Sequence, residues 1–264
     1  MTEQRWNAAD YAHNSTAQWQ WAQELVAKLG LQGHERLVDI GCGDGKITAS
    51  IARQLPRGAV LGIDASSQMI ALASTSYPPT QYPNLEFRQM DATALDLPSD
   101  LDVAFSNATL HWIQDHRAVL RGVRTALRRE GRLLFQMGGR GNADDVLAVV
   151  QGLTRAPAWS AYFVGFRSPY HFYGVEEYRA WLPALGFDIV RLELIPKDMR
   201  HNNPDGLKGW LRTTWFPYTD CLPVERREPF LDALVAAYLA EHPVDQEGGT
   251  HVRMVRLEVE AAAC

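Results

Sequence analysis

The stretch LVDIGCGDGK, Leu37 to Lys46, constrains the fold of this chain more than any other. The pattern predicts a buried strand over Arg36 to Ile40, a tight glycine-rich turn, and a helix from Lys46 to Leu55. This is the start of a βαβ unit. The turn then lies at the carboxyl end of a strand, where open α/β sheets bind ligands.

Alternating strand and helix patterns continue along the chain. Strands are predicted at Arg36–Ile40, Ala59–Ile63, Leu85–Gln89, Leu101–Phe105, Arg132–Met137, Phe187–Ile195 and Val252–Glu260. Helices are predicted at Ser15–Leu29, Lys46–Leu55, Gln68–Ser74, Arg117–Arg128 and Tyr178–Leu185. Short strands separated by helices favour a parallel sheet covered on both faces. We therefore predict an α/β fold with a doubly wound, Rossmann-like sheet of seven strands.

Two segments interrupt this alternation and are predicted to form helical caps, at about 139–173 and 198–248. The remaining chain divides into a helical segment over the site, a ligand-binding core and the rest of the sheet: 1–30, 31–138, and 174–197 with 249–264. A chain of 264 residues with 46% hydrophobic residues can bury all of this as one domain.

Charge and cysteine content exclude several classes of function. The net charge of −5 and the scattered basic residues argue against a nucleic-acid partner. No run approaches the roughly 20 apolar residues of a membrane span, and the first residues lack the apolar core of a signal peptide, so a cytoplasmic location is expected. The three cysteines, Cys42, Cys221 and Cys264, lack disulfide or metal-ligand spacing and are expected to be reduced thiols.

Acidic residues in and beyond the glycine turn indicate which ligand it binds. Asp39 and Asp44 would repel a pyrophosphate but suit an ammonium or a sulfonium, and S-adenosylmethionine carries both. Asp64 ends the next strand, where it can accept both ribose hydroxyls, and Asp91 follows the third strand near the place of an adenine amine. Taken singly, Asp64 could be a helix cap and Asp91 a turn residue.

Several motifs resemble those of class I S-adenosylmethionine-dependent methyltransferases, over nearly the whole chain. VDIGCGDGK, GIDAS and MDAT resemble the donor motifs. FSNATLHWIQDH, GRLLFQMGG and WLRTTWFPYTDCLP resemble the small-molecule carboxyl methyltransferases of the trans-aconitate and juvenile hormone acid types. The loop departs from the trans-aconitate pattern, because Asp44 and Gly45 stand where GPGN is common.

The resemblance implies S-adenosylmethionine as cofactor and a set of residues that hold it. Residues at the first two strand ends are expected to bind the methionine and ribose parts, and residues at the third strand end are expected to contact the adenine. Asn107 is expected to lie near the methionine part. The implied set is Asp39, Gly41, Cys42, Gly43, Asp64, Ala65, Ser66, Met69, Asp91, Ala92 and Asn107.

For the acceptor, the resemblance implies Gln18 and Trp112 as groups that orient a substrate carboxylate, with His111 beside them. Gln18 lies in YAHNSTAQWQW, which resembles the juvenile hormone acid type. The expected reaction is O-methylation of a small carboxylic acid. Alternatives are a C-, N- or phenolic O-methyltransferase with His111 as general base, and a non-catalytic S-adenosylmethionine-binding protein.

Aromatic residues crowd the first cap segment and are expected to form mostly its core, with a minority lining an apolar pocket: Trp159, Tyr162, Phe163, Phe166, Tyr170, Phe172 and Tyr173. Such a pocket favours an acceptor with an apolar body. The expected partner is therefore a small molecule, with the protein a monomer or a weak homodimer and no metal bound.

Overall fold

A computed structural model describes residues 16–264, and side chains from Trp19 onward. It contains a seven-stranded sheet with the order β3-β2-β1-β4-β5-β7-β6, in which β7 runs antiparallel to both neighbours. The strands are β1 Arg36–Ile40, β2 Ala59–Asp64, β3 Leu85–Gln89, β4 Leu101–Asn107, β5 Leu127–Gly138, β6 Phe187–His201 and β7 Thr250–Ala263. The predicted fold class is confirmed.

Helices cover both faces of this sheet. Their bounds are α1 Thr16–Lys28, α2 Lys46–Ala52, α3 Ser67–Ser76, α4 His116–Ala126, α5 Asp144–Arg155, α6 Val175–Ala184, α7 Pro204–Thr214, α8 Phe216–Thr219 and α9 Val224–Glu241. Two short 3-10 helices lie at Leu110–Trp112 and Ser160–Phe163. In the described part of the chain, no helix has the length and apolar character needed to cross a membrane.

The central strands are buried on both faces because each face has its own helical layer. Leu25 of α1, and Leu29 directly after it, pack with α2 against Leu37, Phe105 and Leu134 on one face. On the other face, α4 and α6 pack against side chains of β1, β4, β5 and β7. Asp39, Asn107 and Gln136 therefore lie on the α1 side, because alternate strand residues share a face.

The predicted helix from Arg117 to Arg128 is wrong at its carboxyl end. The chain leaves α4 after Ala126, and Leu127 already pairs with Leu101 as the start of β5. Leu127 is buried in that position, where its side chain joins the core of the sheet. Strand β5 is consequently longer than the predicted Arg132–Met137. Helix Lys46–Leu55 likewise ends early, at Ala52, and Tyr178–Leu185 begins early, at Val175.

Strands β6 and β7 are also longer than predicted, and this changes how the second cap begins. Their pairing continues past the end of β5 at Gly138 as far as His201 opposite Thr250. The result is a two-stranded ribbon that projects beyond the carboxyl edge of the sheet. The second inserted segment therefore starts after His201 instead of at 198.

The cap helices are packed on this ribbon. Met199, Val252 and Met254 of the ribbon belong to one apolar cluster with side chains from α5 and from α7 to α9. Trp21 of α1 joins the same cluster, and Lys197 of the ribbon pairs with Glu24 of α1 at 2.6 Å. The ribbon thus holds the caps and α1 over the carboxyl edge of β1, β4 and β5.

Candidate active site

The glycine turn after β1 is held by backbone contacts that need its glycines. The N–H groups of Gly41 and Cys42 both donate to Ile63 O, at 2.7 and 2.9 Å. Gly41 has a φ of 78°, and an added Cβ would lie 2.2 Å from Thr109, so the turn and the loop after β4 touch here. At Gly43, with φ 55°, an added Cβ would meet no described atom within 4 Å. The backbone at Gly43 thus borders open space at the carboxyl edge.

Asp64 ties this turn to the start of α3. Its Oδ2 accepts from Gly43 N–H at 3.0 Å, and its Oδ1 accepts from Ser66 N–H at 2.9 Å. Burial raises the pKa of Asp64, and the two N–H donors oppose that rise. Ser66 caps α3 by accepting from Met69 N–H, and Met69 is buried beneath. Each Asp64 oxygen keeps a further lone pair for a ribose hydroxyl.

The third strand end offers a ligand both backbone groups and the side chain of Asp91. Asp91 is exposed, and its Oδ1 accepts from both N–H and O–H of Thr93. Ala92 is buried in the core, so its side chain faces away from a ligand in solvent. Ala65 is exposed beyond β2, where its carbonyl accepts from Gln89. The glycine turn, the acidic strand ends and the open backbone together fit S-adenosylmethionine.

Asp39 lies under the glycine turn as a buried carboxyl group. Thr48 donates a hydrogen bond of 2.7 Å to its Oδ2. Burial raises the pKa of Asp39 to about 7, although the Thr48 hydrogen bond opposes the shift, and the nearby Asp64 raises it further. A cation bound at the turn would lower that pKa again, because it favours the carboxylate.

Linkage gives Asp39 opposite effects on stability and on donor binding. Its pKa is higher in the fold than the ordinary 3.8. Its stabilising contribution is therefore complete below about pH 4 and is lost as the pH rises through about 7. We expect Asp39→Asn to raise the thermal midpoint of the ligand-free enzyme at pH 8, and to weaken S-adenosylmethionine binding about ten-fold or more, since one pKa unit equals about 1.4 kcal/mol.

Thermal unfolding and calorimetry at pH 6 and pH 8 measure both effects. In the wild type, affinity for S-adenosylmethionine should rise from pH 6 to pH 8, and in Asp39→Asn this rise should shrink. Asp96→Asn, at an exposed carboxyl in the loop between β3 and β4, is the control and should change neither quantity. An equal pH dependence in wild type and Asp39→Asn would contradict the assignment.

The loop after β4 brings Asn107, Thr109 and His111 to the same edge. Asn107 pairs with Gln136 of β5, and Ala108 adopts a left-handed φ of 56° while donating to Gln136 O. Such a conformation is costly for alanine and turns the chain sharply toward the site. Thr109 Oγ1 donates to Gly41 O at 3.1 Å, which fixes this loop against the glycine turn.

His111 is held in a defined orientation by the end of β5. Gly138 N–H donates to His111 Nδ1 at 3.3 Å, so the proton of the neutral ring resides on Nε2. Burial lowers the pKa of His111 well below its ordinary value, and the positive charge of Arg256 and His116 lowers it further. The ring is therefore neutral across the physiological pH range.

An aromatic wall stands beside His111. Trp112 stacks on Phe216 with centroids 5.7 Å apart and an interplanar angle of 22°, and Tyr170 lies 4.8 Å from Trp112. Tyr170 also stacks on Phe172 at 5.6 Å and donates its hydroxyl to Thr214 O. Aromatic residues from both cap segments thus meet Trp112.

Three of the other cap aromatics belong to the cap core, whereas Tyr162 is exposed. Trp159 is buried, and Phe163 and Phe166 pack against the cluster that contains it. Tyr173 lies on the opposite side, against His116 and Trp181. Gln18, the other predicted acceptor residue, falls within α1, but its side chain lies outside the described residues.

Sequence reasoning missed a polar group on the α1 face of the sheet. Arg256 Nε donates to Gln136 Oε1 at 3.4 Å, and Gln136 Nε2 donates to Glu258 Oε2 at 2.9 Å. Lys28 and Arg191 both pair with Glu258 Oε1. The sequence does carry a signal for this group. VRLEVE in β7 alternates charged with apolar residues, whereas a strand beside β5 should be covered on both faces and therefore mostly apolar.

A cavity of about 410 Å³ lies away from these residues, between the ribbon and the ends of α5 and α9. It is open and is lined by Asp145, Pro196, Lys197, Asp198, Tyr238, His242, His251 and Arg253. None of the predicted site residues borders it, so it has no part in the site at the sheet edge.

The chain resembles known methyltransferases along most of its length. Residues 38–135 match the family described as a methyltransferase domain. The chain is 31% identical over 218 residues to an uncharacterized methyltransferase of Schizosaccharomyces pombe, covering 81% of each. It is 28% identical over 255 residues to trans-aconitate 2-methyltransferase of Methylobacterium nodulans, covering 96% of each. The crystal structure of the YcgJ protein of Bacillus subtilis superposes with a TM-score of 0.61 at 16% identity, over 93% of this chain and 98% of that one.

Proposed function

We propose that this chain, which belongs to the class I S-adenosylmethionine-dependent methyltransferases, methylates the carboxylate of a small acid that has an apolar body. The observation that carries the proposal is the state of His111. Its Nδ1 lone pair already accepts from Gly138 N–H, and its pKa is far below the ordinary value because the ring is buried. A site whose histidine is a poor base suits an acceptor that is already ionised.

A general base would need a free lone pair and a pKa near the working pH. The Tyr170 hydroxyl, whose ring lies 6.5 Å from that of His111, does not meet this need. It donates to Thr214 O, and burial raises its pKa well above 10.0. Asp64 is engaged at the donor turn, where it accepts from Gly43 and Ser66 N–H. These contacts favour a carboxylate over a phenol, an amine or a carbon acid, each of which must lose a proton.

The relatives support the same acceptor class. Two of them, from Methylobacterium nodulans and from Escherichia coli, are trans-aconitate 2-methyltransferases, and each is matched over nearly its whole length. The aromatic wall of Trp112, Tyr170 and Phe216 supports an acceptor with an apolar portion. Such a surface buries hydrocarbon or an aromatic ring better than a small tricarboxylate.

In the proposed mechanism the chain orients the two reactants and excludes water from the site. When bound, S-adenosylmethionine supplies an electrophilic methyl group. A carboxylate with a pKa near 4 is ionised at neutral pH and needs no proton removal. Trp112 and Gln18 are neutral donors that would orient it, and the aromatic wall excludes water from its approach. Holding both partners collinear is worth several orders of magnitude in rate.

A screen of acids with a methyl-labelled donor tests the function. Aliphatic, aromatic and terpenoid monoacids and trans-aconitate should be compared with phenols and amines of similar size. We expect label in products that release methanol in alkali, as methyl esters do. Label found only in alkali-stable products would overturn the carboxylate assignment. In that case His111 would have to be re-examined as a base.

A further inference from the structure

Two buried polar side chains have no part in the mechanism above. His116 begins α4 and is 1% exposed, and Tyr178 of α6 is fully buried. His116 Nδ1 lies 2.7 Å from the Tyr178 hydroxyl, and His116 Nε2 lies 2.6 Å from Leu110 O. Leu110 is the first residue of the 3-10 helix that contains His111 and Trp112. A relay of hydrogen bonds, from Tyr178 to His116 to Leu110, therefore connects α6 and α4 with the proposed acceptor site.

The partners of His116 fix the direction of these hydrogen bonds. A carbonyl oxygen only accepts, so Nε2 carries the ring proton and donates to Leu110 O. Burial lowers the pKa of His116 to about 4, so the ring is neutral at physiological pH and Nδ1 is an acceptor. Tyr178 donates its hydroxyl proton to Nδ1, because the other acceptor within reach, Met137 Sδ, is weaker and lies 3.5 Å away. One arrangement of protons thus satisfies both ring nitrogens.

Aromatic rings enclose the imidazole of His116. Its centroid lies 4.6 Å from that of Tyr173, 5.7 Å from that of Tyr178 and 6.3 Å from that of Trp181, each in an edge-on arrangement. In surroundings of such low polarity, linked hydrogen bonds strengthen one another, and breaking one leaves a buried polar group unpaired. The relay therefore holds the Leu110 carbonyl firmly in place.

Two further contacts hold the same 3-10 helix from other directions. His171 N–H of the first cap segment donates to His111 O at 2.8 Å, and Gly138 N–H of β5 donates to His111 Nδ1 at 3.3 Å. The relay contributes the contact that comes from α4 and α6. The orientation of Trp112 and His111 toward an acceptor therefore depends on all three.

We propose that His116 and Tyr178 are positioning residues, which fix the 3-10 helix so that Trp112 and His111 keep one orientation toward the acceptor. This inference rests on the proposed function, because it takes those two side chains as acceptor groups. His116 and Tyr178 are buried and act through the carbonyl of Leu110. A displacement of about 1 Å in an orienting group can lower a rate by about 100-fold. Loss of the relay should therefore lower turnover and leave donor binding intact.

Steady-state kinetics of three variants test this role, with the best acceptor that the screen yields. His116→Leu removes both hydrogen bonds and should lower kcat by about 10- to 100-fold, with little change in the acceptor KM. Tyr178→Phe keeps the ring and should lower kcat by about 3- to 10-fold. His116→Gln returns an N–H donor and an acceptor on one planar group and should recover part of the loss. The Kd of S-adenosylhomocysteine, measured by calorimetry, should stay as in the wild type.

Val119→Ala separates positioning from stability. Val119 lies on α4 as His116 does and is fully buried, so the substitution should lower the thermal midpoint while the relay stays intact. Its kcat, compared at the same folded fraction, should equal that of the wild type. A loss of kcat in Val119→Ala as large as that in His116→Leu would overturn the inference, because it would show a general effect of packing.

Nuclear magnetic resonance of the ring nitrogens, with isotope-labelled histidine in the wild type, tests the relay even if no variant folds. His116 should carry its proton on Nε2 and have an unprotonated, hydrogen-bonded Nδ1. A protonated Nδ1 at neutral pH would overturn the inference. Wild-type kcat in folded His116→Leu and Tyr178→Phe would overturn it too, and the proposed function stands if acids are methylated. If only phenols or amines are methylated, the proposed function fails, and the same variants decide the inference with that acceptor.

Discussion

Replacing Asp64 with alanine is expected to weaken S-adenosylmethionine binding by roughly 30- to 1000-fold, the largest effect at the donor site. Two ribose hydroxyls would lose their acceptor, at about 1 to 2 kcal/mol each, or about 2 to 4 kcal/mol in total. The structure adds a second reason. Gly43 and Ser66 N–H groups would also lose the carboxylate that joins the glycine turn to α3. Titration calorimetry with S-adenosylmethionine measures the change.

Two further variants separate ribose contact from loop support. Asp64→Asn keeps one oxygen acceptor but directs an amide N–H₂ at a backbone N–H, so it should lose nearly as much affinity as alanine. Asp96→Ala removes an exposed carboxyl in the loop between β3 and β4 and should bind the donor as the wild type does. Unchanged affinity in Asp64→Ala would show that the strand-end assignment is wrong.

Loss of the groups that orient the acceptor is expected to reduce turnover by tens- to thousands-fold. Trp112→Phe keeps an aromatic ring beside Phe216 and Tyr170 while it removes the indole N–H together with part of the ring area. Gln18→Ala removes the second proposed donor. One lost orienting donor costs about 2 to 4 kcal/mol of transition-state stabilisation. Steady-state kinetics with the best acid from the screen provide the measurement.

A substitution of His111 is expected to have a smaller effect on turnover. His111→Gln retains an acceptor for Gly138 N–H, so its effect on turnover should be milder than that of Trp112→Phe. The pKa of His111 lies well below its ordinary 6.5 because the ring is buried. With saturating donor, kcat should therefore stay level from pH 8 to pH 6, without the fall that a titrating histidine base produces. A steep fall, with His111 indispensable and Gln18 replaceable, would favour a proton-abstracting methyltransferase.

The membership of the chain in the methyltransferases and the fold class follow from the order of local patterns. Each donor motif is a short segment at the end of a strand, and the conformation of the turn depends on its own glycines. Gly41, Gly43 and Gly45 all have positive φ, which glycine adopts at little cost. Parallel strands end at one edge, so segments far apart in sequence converge there without any knowledge of packing. The conformation of the donor turn and its place at the sheet edge could therefore be predicted from the sequence.

The acceptor side could be predicted only in part. FSNATLHWIQDH indicated His111 and Trp112, but not that Gly138 N–H would occupy the Nδ1 of His111 and weaken it as a base. Phe216 and Tyr170 come from different cap segments, and their stacking around Trp112 depends on how those caps are placed. The caps in turn depend on the ribbon, whose length is set by pairing of β6 with β7 beyond the end of β5.

The sequence by itself determined the sheet, the donor turn and the acidic strand ends, because these depend on local backbone preference and on the order of strands. Only the tertiary structure decided the hydrogen-bonded group of Gln136, Glu258 and Arg256 and the contact of Gly41 with Thr109. Those contacts join residues 120 or 68 positions apart. Charged residues that alternate along β7 give the same pattern whether they face solvent or the interior, and only the fold shows that Arg256 and Glu258 are buried.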